Sequence, residues 1–161
     1  MTLAETLLPK LADWRPAGEG RHAAAIALPD HGWTVHLSAE QVDTLGCRLR
    51  LIELTRDQPL PDDAAALEAH ARKAPGRATG LLEPLRVVEM DTPRQTVLVR
   101  SDGPKLKGDT VAYYEVRFVG RNRVTVERFQ ATKASPARRE AVPFALTHEG
   151  LAKLVEDLVR D

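Results

Sequence analysis

The groups in this chain that can do chemistry are five histidines, one cysteine, scattered serines and carboxylates, and one loop holding both glycine and lysine. A metal centre needs ligands at a spacing that the backbone turns into convergence. His31 and His36 are five apart, but the first falls in the turn Pro29-Asp-His-Gly32 and the second points outward from a strand, so nothing holds them together. His70, mid-helix, and His148, in the first turn of the last helix, have no second His or Cys at helical spacing and read as surface residues. Cys47 would be a nucleophile only with its thiolate stabilised by a neighbouring cation or base. Arg48 is adjacent, but neighbours along a strand point to opposite faces, and alternation with Leu49 and Leu51 makes Cys47 a small buried hydrophobe. Ser38, Ser101 and Ser135 lie at strand ends or in loops, without the Gly-x-Ser-x-Gly elbow of a nucleophilic serine. The loop Ser101 to Asp109 is not a phosphate cradle, because Pro104 removes an amide and a strand follows where a helix N-terminus is needed. Glu83 and Glu89 sit in a partly buried strand region with no partner carboxylate in view. We therefore expect no catalytic residue, no metal and no cofactor.

The elements that would position any site are more legible. Thr2 and Glu5 form a capping box, and Leu3, Leu7, Leu8 and Leu11 follow at helical spacing to about Trp14. Ala24, Ile26 and Leu28, then Trp33, Val35 and Leu37, alternate on either side of a turn; setting Leu28 opposite Trp33 puts all six on one face. A third strand runs from Cys47 to Leu54, its phase unclear at Ile52. Asp62 or Asp63 caps an alanine-rich helix, Ala64 to Ala74, with a thin stripe of Leu67, Ala71 and Ala74, stopped by Pro75-Gly76. Leu85 to Met90 and Thr96 to Arg100 carry apolar residues on both faces and read as central strands.

The clearest hairpin is Val111–Val119 with Val124–Ala131; setting Val119 opposite Val124 pairs Glu115 with Arg128 and Tyr114 with Phe129. Lys133 to Val142 is polar and reads as a mobile loop. Thr147 caps a last helix whose apolar face is Leu151, Leu154, Val155 and Leu158, with Leu146 and Leu151 as a hydrophobic staple. The order helix, three strands, helix, four strands, helix, without βαβ alternation, predicts one α+β domain over residues 1–161 with an antiparallel sheet.

Composition narrows the function classes. The chain has 161 residues and a single cysteine, so no internal disulfide forms, and its first ten residues lack a basic leader and an unbroken apolar segment; we expect a cytoplasmic protein. No apolar run approaches the roughly 20 residues that span a bilayer. Charge balances at 23 basic and 23 acidic residues, but unevenly: residues 1–62 carry 6 basic and 9 acidic groups, residues 100–139 carry 10 and 4. Arg117, Arg121, Arg123 and Arg128 cluster on the clearest hairpin. With aromatics at 4 % there are few stacking platforms, so these arginines read as a solvated face, with weak nucleic-acid binding a second alternative.

The stretches Leu3 to Trp14, Ala24 to Leu54 with its continuation to Pro61, Asp62 to Ala74 and Leu151 to Leu158 resemble, in element order, the small cytoplasmic chaperones of type III secretion and their sensory-transduction-like relatives. That resemblance implies a non-enzymatic homodimer that binds an extended segment of a protein partner along apolar patches and sheet edges. The expectation is a protein-binding module, with Leu151, Leu154, Val155, Leu158, Arg121 and Arg123 as candidate partner contacts. The first alternative is a small enzyme or ligand-binding domain whose site lies between sheet and helices.

Overall fold

The computed structural model describes residues 1–103 and 108–161. In chain order the elements are α1 (Leu3–Asp13), β1 (His22–Leu28), β2 (Trp33–Val42), β3 (Gly46–Arg56), α2 (Ala64–Arg77), β4 (Leu85–Asp91), β5 (Thr96–Ser101), β6 (Thr110–Val119), β7 (Arg123–Thr132), β8 (Ser135–Val142), β9 (Phe144–Thr147) and α3 (His148–Val159). The fold is α+β, and all strand pairings among the described residues are antiparallel. The main path across the sheet is β1-β2-β3-β7-β6-β5-β4, with β8 added to β7 and β9 to the first half of β3.

Two rows of directly opposed residues cross all seven strands of that path. One is Ala24, Leu37, Ile52, Val126, Val116, Val99 and Val87; the other is Ile26, Val35, Leu54, Val124, Phe118, Val97 and Met90. Alternation at period two brings these side chains to one face, where Leu3, Leu7 and Leu11 of α1, Leu67, Ala71 and Ala74 of α2, and the α3 leucines join them in one core. The third row is short: Leu28 opposes Trp33, and Trp33 opposes Arg56.

Several expectations need correction. The β6–β7 register is one residue off the expected one: Val119 faces Arg123, Tyr114 faces Arg128, Tyr113 faces Phe129, and Glu115 faces Glu127. The turn is three residues, Gly120 to Asn122, because Asn122 is held from outside the hairpin. Its carbonyl accepts from the Arg56 N–H at 2.8 Å, and its side chain exchanges two hydrogen bonds with the Leu60 backbone at 2.7 and 2.9 Å. Gly120 opens the turn at φ 55°, a left-handed conformation that glycine adopts without steric cost.

The α2 helix runs through Pro75 to Arg77. Pro75 forfeits one backbone bond, but buried Ala71 and Ala74 anchor the turn and the Arg77 guanidinium donates to the Arg160 carbonyl at 2.7 Å. β5 is an inner strand, whereas β4 is an edge, with a register break between Val87 and Glu89. Residues 135–142 form strand β8, not a loop; it lies outermost on β7, where Pro136 and mostly exposed charges are tolerated. Six strands therefore follow α2 among the described residues, where four were expected. Of the glycine–lysine loop, residues 104–107 lie outside the described residues.

The unclear phase at Ile52 is a double irregularity. Arg50 is an extra residue on β3 and Glu40 an extra residue on β2, and their side chains meet at 3.5 Å. Beyond that point Ile52 and Leu54 face the core, and so does Arg56.

Candidate functional site

The α3 stripe, named as a candidate partner contact, lies in this chain's own core. Leu151, Leu154, Val155 and Leu158 are all buried within this chain, beneath α1 and the sheet. The hairpin arginines do not form one stripe. Arg117 and Arg123 lie on the outer face, where Arg117 approaches Glu115 at 3.4 Å and Arg123 pairs with Glu53 at 2.6 Å. Arg128 lies on the inner face, pairs with Glu83 at 3.1 Å and stacks over Tyr114. Arg121, in the turn, has no carboxylate in ion-pair reach among the described residues and donates from Nη2 to the Pro61 carbonyl at 2.8 Å.

The histidines and Cys47 are also placed. His31 Nε2 meets Thr6 Oγ1 at 3.1 Å and His36 Nε2 meets Thr55 Oγ1 at 3.1 Å, so each is engaged with a different threonine. His148 is buried, not superficial, and its Nε2 has no partner among the described residues. Cys47 is buried as expected; burial, reinforced by Asp43, pushes its thiol up to about 11, so it is an inert thiol near neutral pH. No group of three or more His, Cys, Asp or Glu among the described residues is arranged to hold a metal ion. No helix among them is long and apolar enough to cross a membrane.

Four open recesses of 390–610 Å³ mark the surface. A smaller cavity of about 120 Å³ is more enclosed, and its walls combine charge with apolar surface. Trp33 from the start of β2, Phe118 from β6 and Val124 from β7 supply the sheet side; Ala66, Leu67 and His70 from α2 supply the opposite wall. Arg56 and Arg121 reach it from the end of β3 and the β6–β7 turn, and Asp161 lies at its edge.

Local structure explains this convergence. The chain leaving β3 is pinned to the β6–β7 turn by the Asn122 hydrogen bonds, so the segment from Asp57 to Asp63 is drawn over the turn before α2 begins. The Asp63 side chain then caps α2 by accepting from the Ala66 N–H at 3.0 Å, which fixes where Ala66, Leu67 and His70 fall. The His70 ring stands edge-on to Phe118 at 5.6 Å, and its Nε2 lies 2.8 Å from the Leu158 carbonyl. A carbonyl only accepts, so Nε2 carries the proton and, in the neutral ring, Nδ1 is the free acceptor.

The electrostatics centre on the two arginines. The Arg56 guanidinium lies over the Trp33 ring, 4.5 Å from its centroid, and its Nε donates to the Arg121 carbonyl at 3.0 Å. Burial holds Arg56 below the ordinary arginine range; Asp161 opposes that shift and the positive charge of Arg121 adds to it. The Nε of Arg121 is buried and has no acceptor among the described residues. Two guanidiniums with donors to spare thus border an apolar space, an arrangement suited to holding an anion.

Sequence reasoning found Arg121 but missed Arg56. The signal was present: Ile52, Leu54 and Arg56 share one parity, so once Ile52 faces the core Arg56 must face it too. The adjacent double bulge hid that parity. No family model, curated protein or solved structure matches this chain.

Proposed function

We propose that this chain binds a small molecule in the cavity between Trp33, Phe118 and α2. The observation that carries this reading is Arg56, a charged residue on the core-facing side of a strand, stacked on Trp33 and without a carboxylate in ion-pair reach among the described residues. A partly desolvated guanidinium on an apolar face is costly unless something pairs with it. Binding is favoured over nucleophilic chemistry because, among the described residues, the lining holds guanidiniums, an imidazole, one aspartate and apolar side chains, with no serine, threonine or cysteine. The cavity is near in size to an engineered apolar cavity of roughly 150 Å³ that takes benzene, so ligands of about six heavy atoms fit.

The test uses Trp33 as the reporter in a Trp14→Phe background, which leaves it the one tryptophan. A panel of small acids, amides, alcohols and amines is titrated while emission and thermal midpoint are followed. A saturable change in both for some member, absent in the cavity-filling variant Ala66→Leu, is the expected result. If no member changes either reading up to about 100 times a millimolar-range Kd, where a rise of about 2.7 kcal/mol in stability is due, the reading fails.

A second reading, protein binding, rests on β1. This edge strand, His22 to Leu28, has no lysine, proline or bulge, and its outward Ala23, Ala25 and Ala27 are exposed. The opposite edge, β4, carries Arg86, Glu89 and a register break, which are usual protections against added strands. An extended apolar peptide can pair with β1 as the type III chaperone resemblance implies. Replacing Ala23 and Ala25 by Lys should leave the fold intact and abolish capture of extended peptides from a display library; undiminished capture sinks this reading.

A further inference from the structure

Resting on the small-molecule reading, we propose that the ligand of the Trp33–Phe118 cavity is a small monocarboxylate with a short hydrocarbon tail, held by Arg56 and Arg121. Of the fifteen other arginines, eleven have a carboxylate in ion-pair reach among the described residues. Arg56 and Arg121 are among the six with none within the described residues, and these two converge on one enclosed space.

The donor inventory says what is wanted there. Arg56 spends its Nε on the Arg121 carbonyl and Arg121 spends one Nη2 proton on the Pro61 carbonyl. That leaves both Nη groups of Arg56 and the buried Nε of Arg121 without protein acceptors among the described residues. A guanidinium presents its N–H groups in a planar fork that matches the two oxygens of a carboxylate. Asp161 lines the same space and attracts Arg56 from beyond ion-pair distance, so an incoming anion competes with it for the guanidiniums.

The remaining walls decide the rest of the ligand. Trp33, Leu67, Phe118 and Val124 are buried apolar side chains. A hydrated inorganic anion would leave those surfaces against water, whereas a chain of three or four carbons covers them. The rings of Trp33 and Phe118 favour a flat or extended tail over a branched polar one. A volume of about 120 Å³ excludes nucleotides, sugars and peptides from the enclosed part.

Butyrate and butyramide separate the anion claim from the cavity claim, because they have equal numbers of heavy atoms and differ in charge. Inorganic phosphate is the third arm, an anion without a tail. In the Trp14→Phe protein, butyrate is expected to bind at least tenfold more tightly than butyramide and more tightly than phosphate. Arg121→Met, checked for folding by circular dichroism, is expected to reduce that preference to less than threefold. Equal or tighter binding of butyramide overturns the carboxylate assignment and leaves the small-molecule reading standing. Tighter binding of phosphate overturns the hydrocarbon tail. Failure of all three overturns the carboxylate assignment, while the wider panel of acids, alcohols and amines decides the cavity reading by itself. The butyrate to butyramide ratio is read without touching an arginine, so misfolding of Arg121→Met does not spare the claim.

Discussion

Glu115 is the buried charge whose removal should be most informative about the outer face of the sheet. Its side chain is 5 % exposed and accepts from Arg139 at both oxygens, from Arg100 at 3.2 Å and from Arg117 at 3.4 Å. Arg100 in turn stacks on Tyr113 and Arg139 on Phe129, so one carboxylate organises three guanidiniums and two rings. Glu115→Gln keeps the volume, keeps one acceptor oxygen and turns the other into an amide donor facing arginine. Charge-assisted hydrogen bonds contribute about 1.5–3 kcal/mol each and neutral ones about 1. With the two shorter contacts weakened accordingly, and with a discount because Arg100 and Arg139 are about one-third exposed, the loss is about 2 kcal/mol. In a chain of 161 residues that lowers the thermal midpoint by about 4–8 °C. Burial works to raise the Glu115 pKa, but the guanidiniums of Arg139 and Arg100 outweigh it and hold the carboxyl below the ordinary range. A depressed folded-state pKa contributes stability above the unfolded value, about 4.3, and loses it as pH falls through the folded value. Urea unfolding followed by circular dichroism should therefore show the full gap between wild type and Glu115→Gln at pH 7 and a closing gap below about pH 4. A gap under about 0.5 kcal/mol at pH 7, or one that stays constant to pH 2, refutes this account of the cluster.

Leu154→Asp with Leu158→Asp should abolish cooperative folding, since each loses about 2–5 kcal/mol of leucine packing and buries a carboxylate besides; a folded, monomeric double variant by sedimentation and circular dichroism would show that the α3 stripe is an interface. Gly46→Ala should cost about 1–3 kcal/mol in a thermal melt, because the added methyl collides with the Leu146 carbonyl oxygen where β3 pairs with β9; a neutral change would mean that this pairing can open freely.

Much of the fold was legible because burial writes a period into the chain. Leu28 opposite Trp33, the Thr2–Glu5 capping box, the Asp63 and Thr147 caps and the stripe of Leu67, Ala71 and Ala74 all follow from spacing and local hydrogen bonding. The misread features depend on contacts distant in sequence. The β6–β7 register hangs on Asn122 binding Leu60, and β8 pairs with β7 where its Arg139 stacks on Phe129 and reaches past β7 to Glu115. His148 looked superficial because a helix N-terminus is usually solvated, yet its N–H donates to the Leu45 carbonyl and its ring is covered. Of the candidate site, the sequence exposed Arg121 and Trp33 as residues to watch but gave opposite readings of them, one as surface charge and one as core.

The two places where local reading broke down are the two that build the cavity. The double bulge at Glu40 and Arg50 resets the parity of β3, and that reset turns Arg56 from the solvated face to the core face, against Trp33. The three-residue turn, tightened by Asn122, sets Arg121 beside it and draws the chain across to start α2 over the opening. Either irregularity alone would leave one guanidinium in water, where it is readily solvated. Together they bring two like charges into a partly desolvated space where Asp161 is not within ion-pair distance of either, an arrangement that an entering anion would stabilise. Local rules tend to be broken where function requires it, and here both breaks converge on the same 120 Å³. A ligand that supplies a carboxylate within ion-pair reach of these guanidiniums would bind the folded state alone and stabilise it in proportion to the logarithm of its concentration.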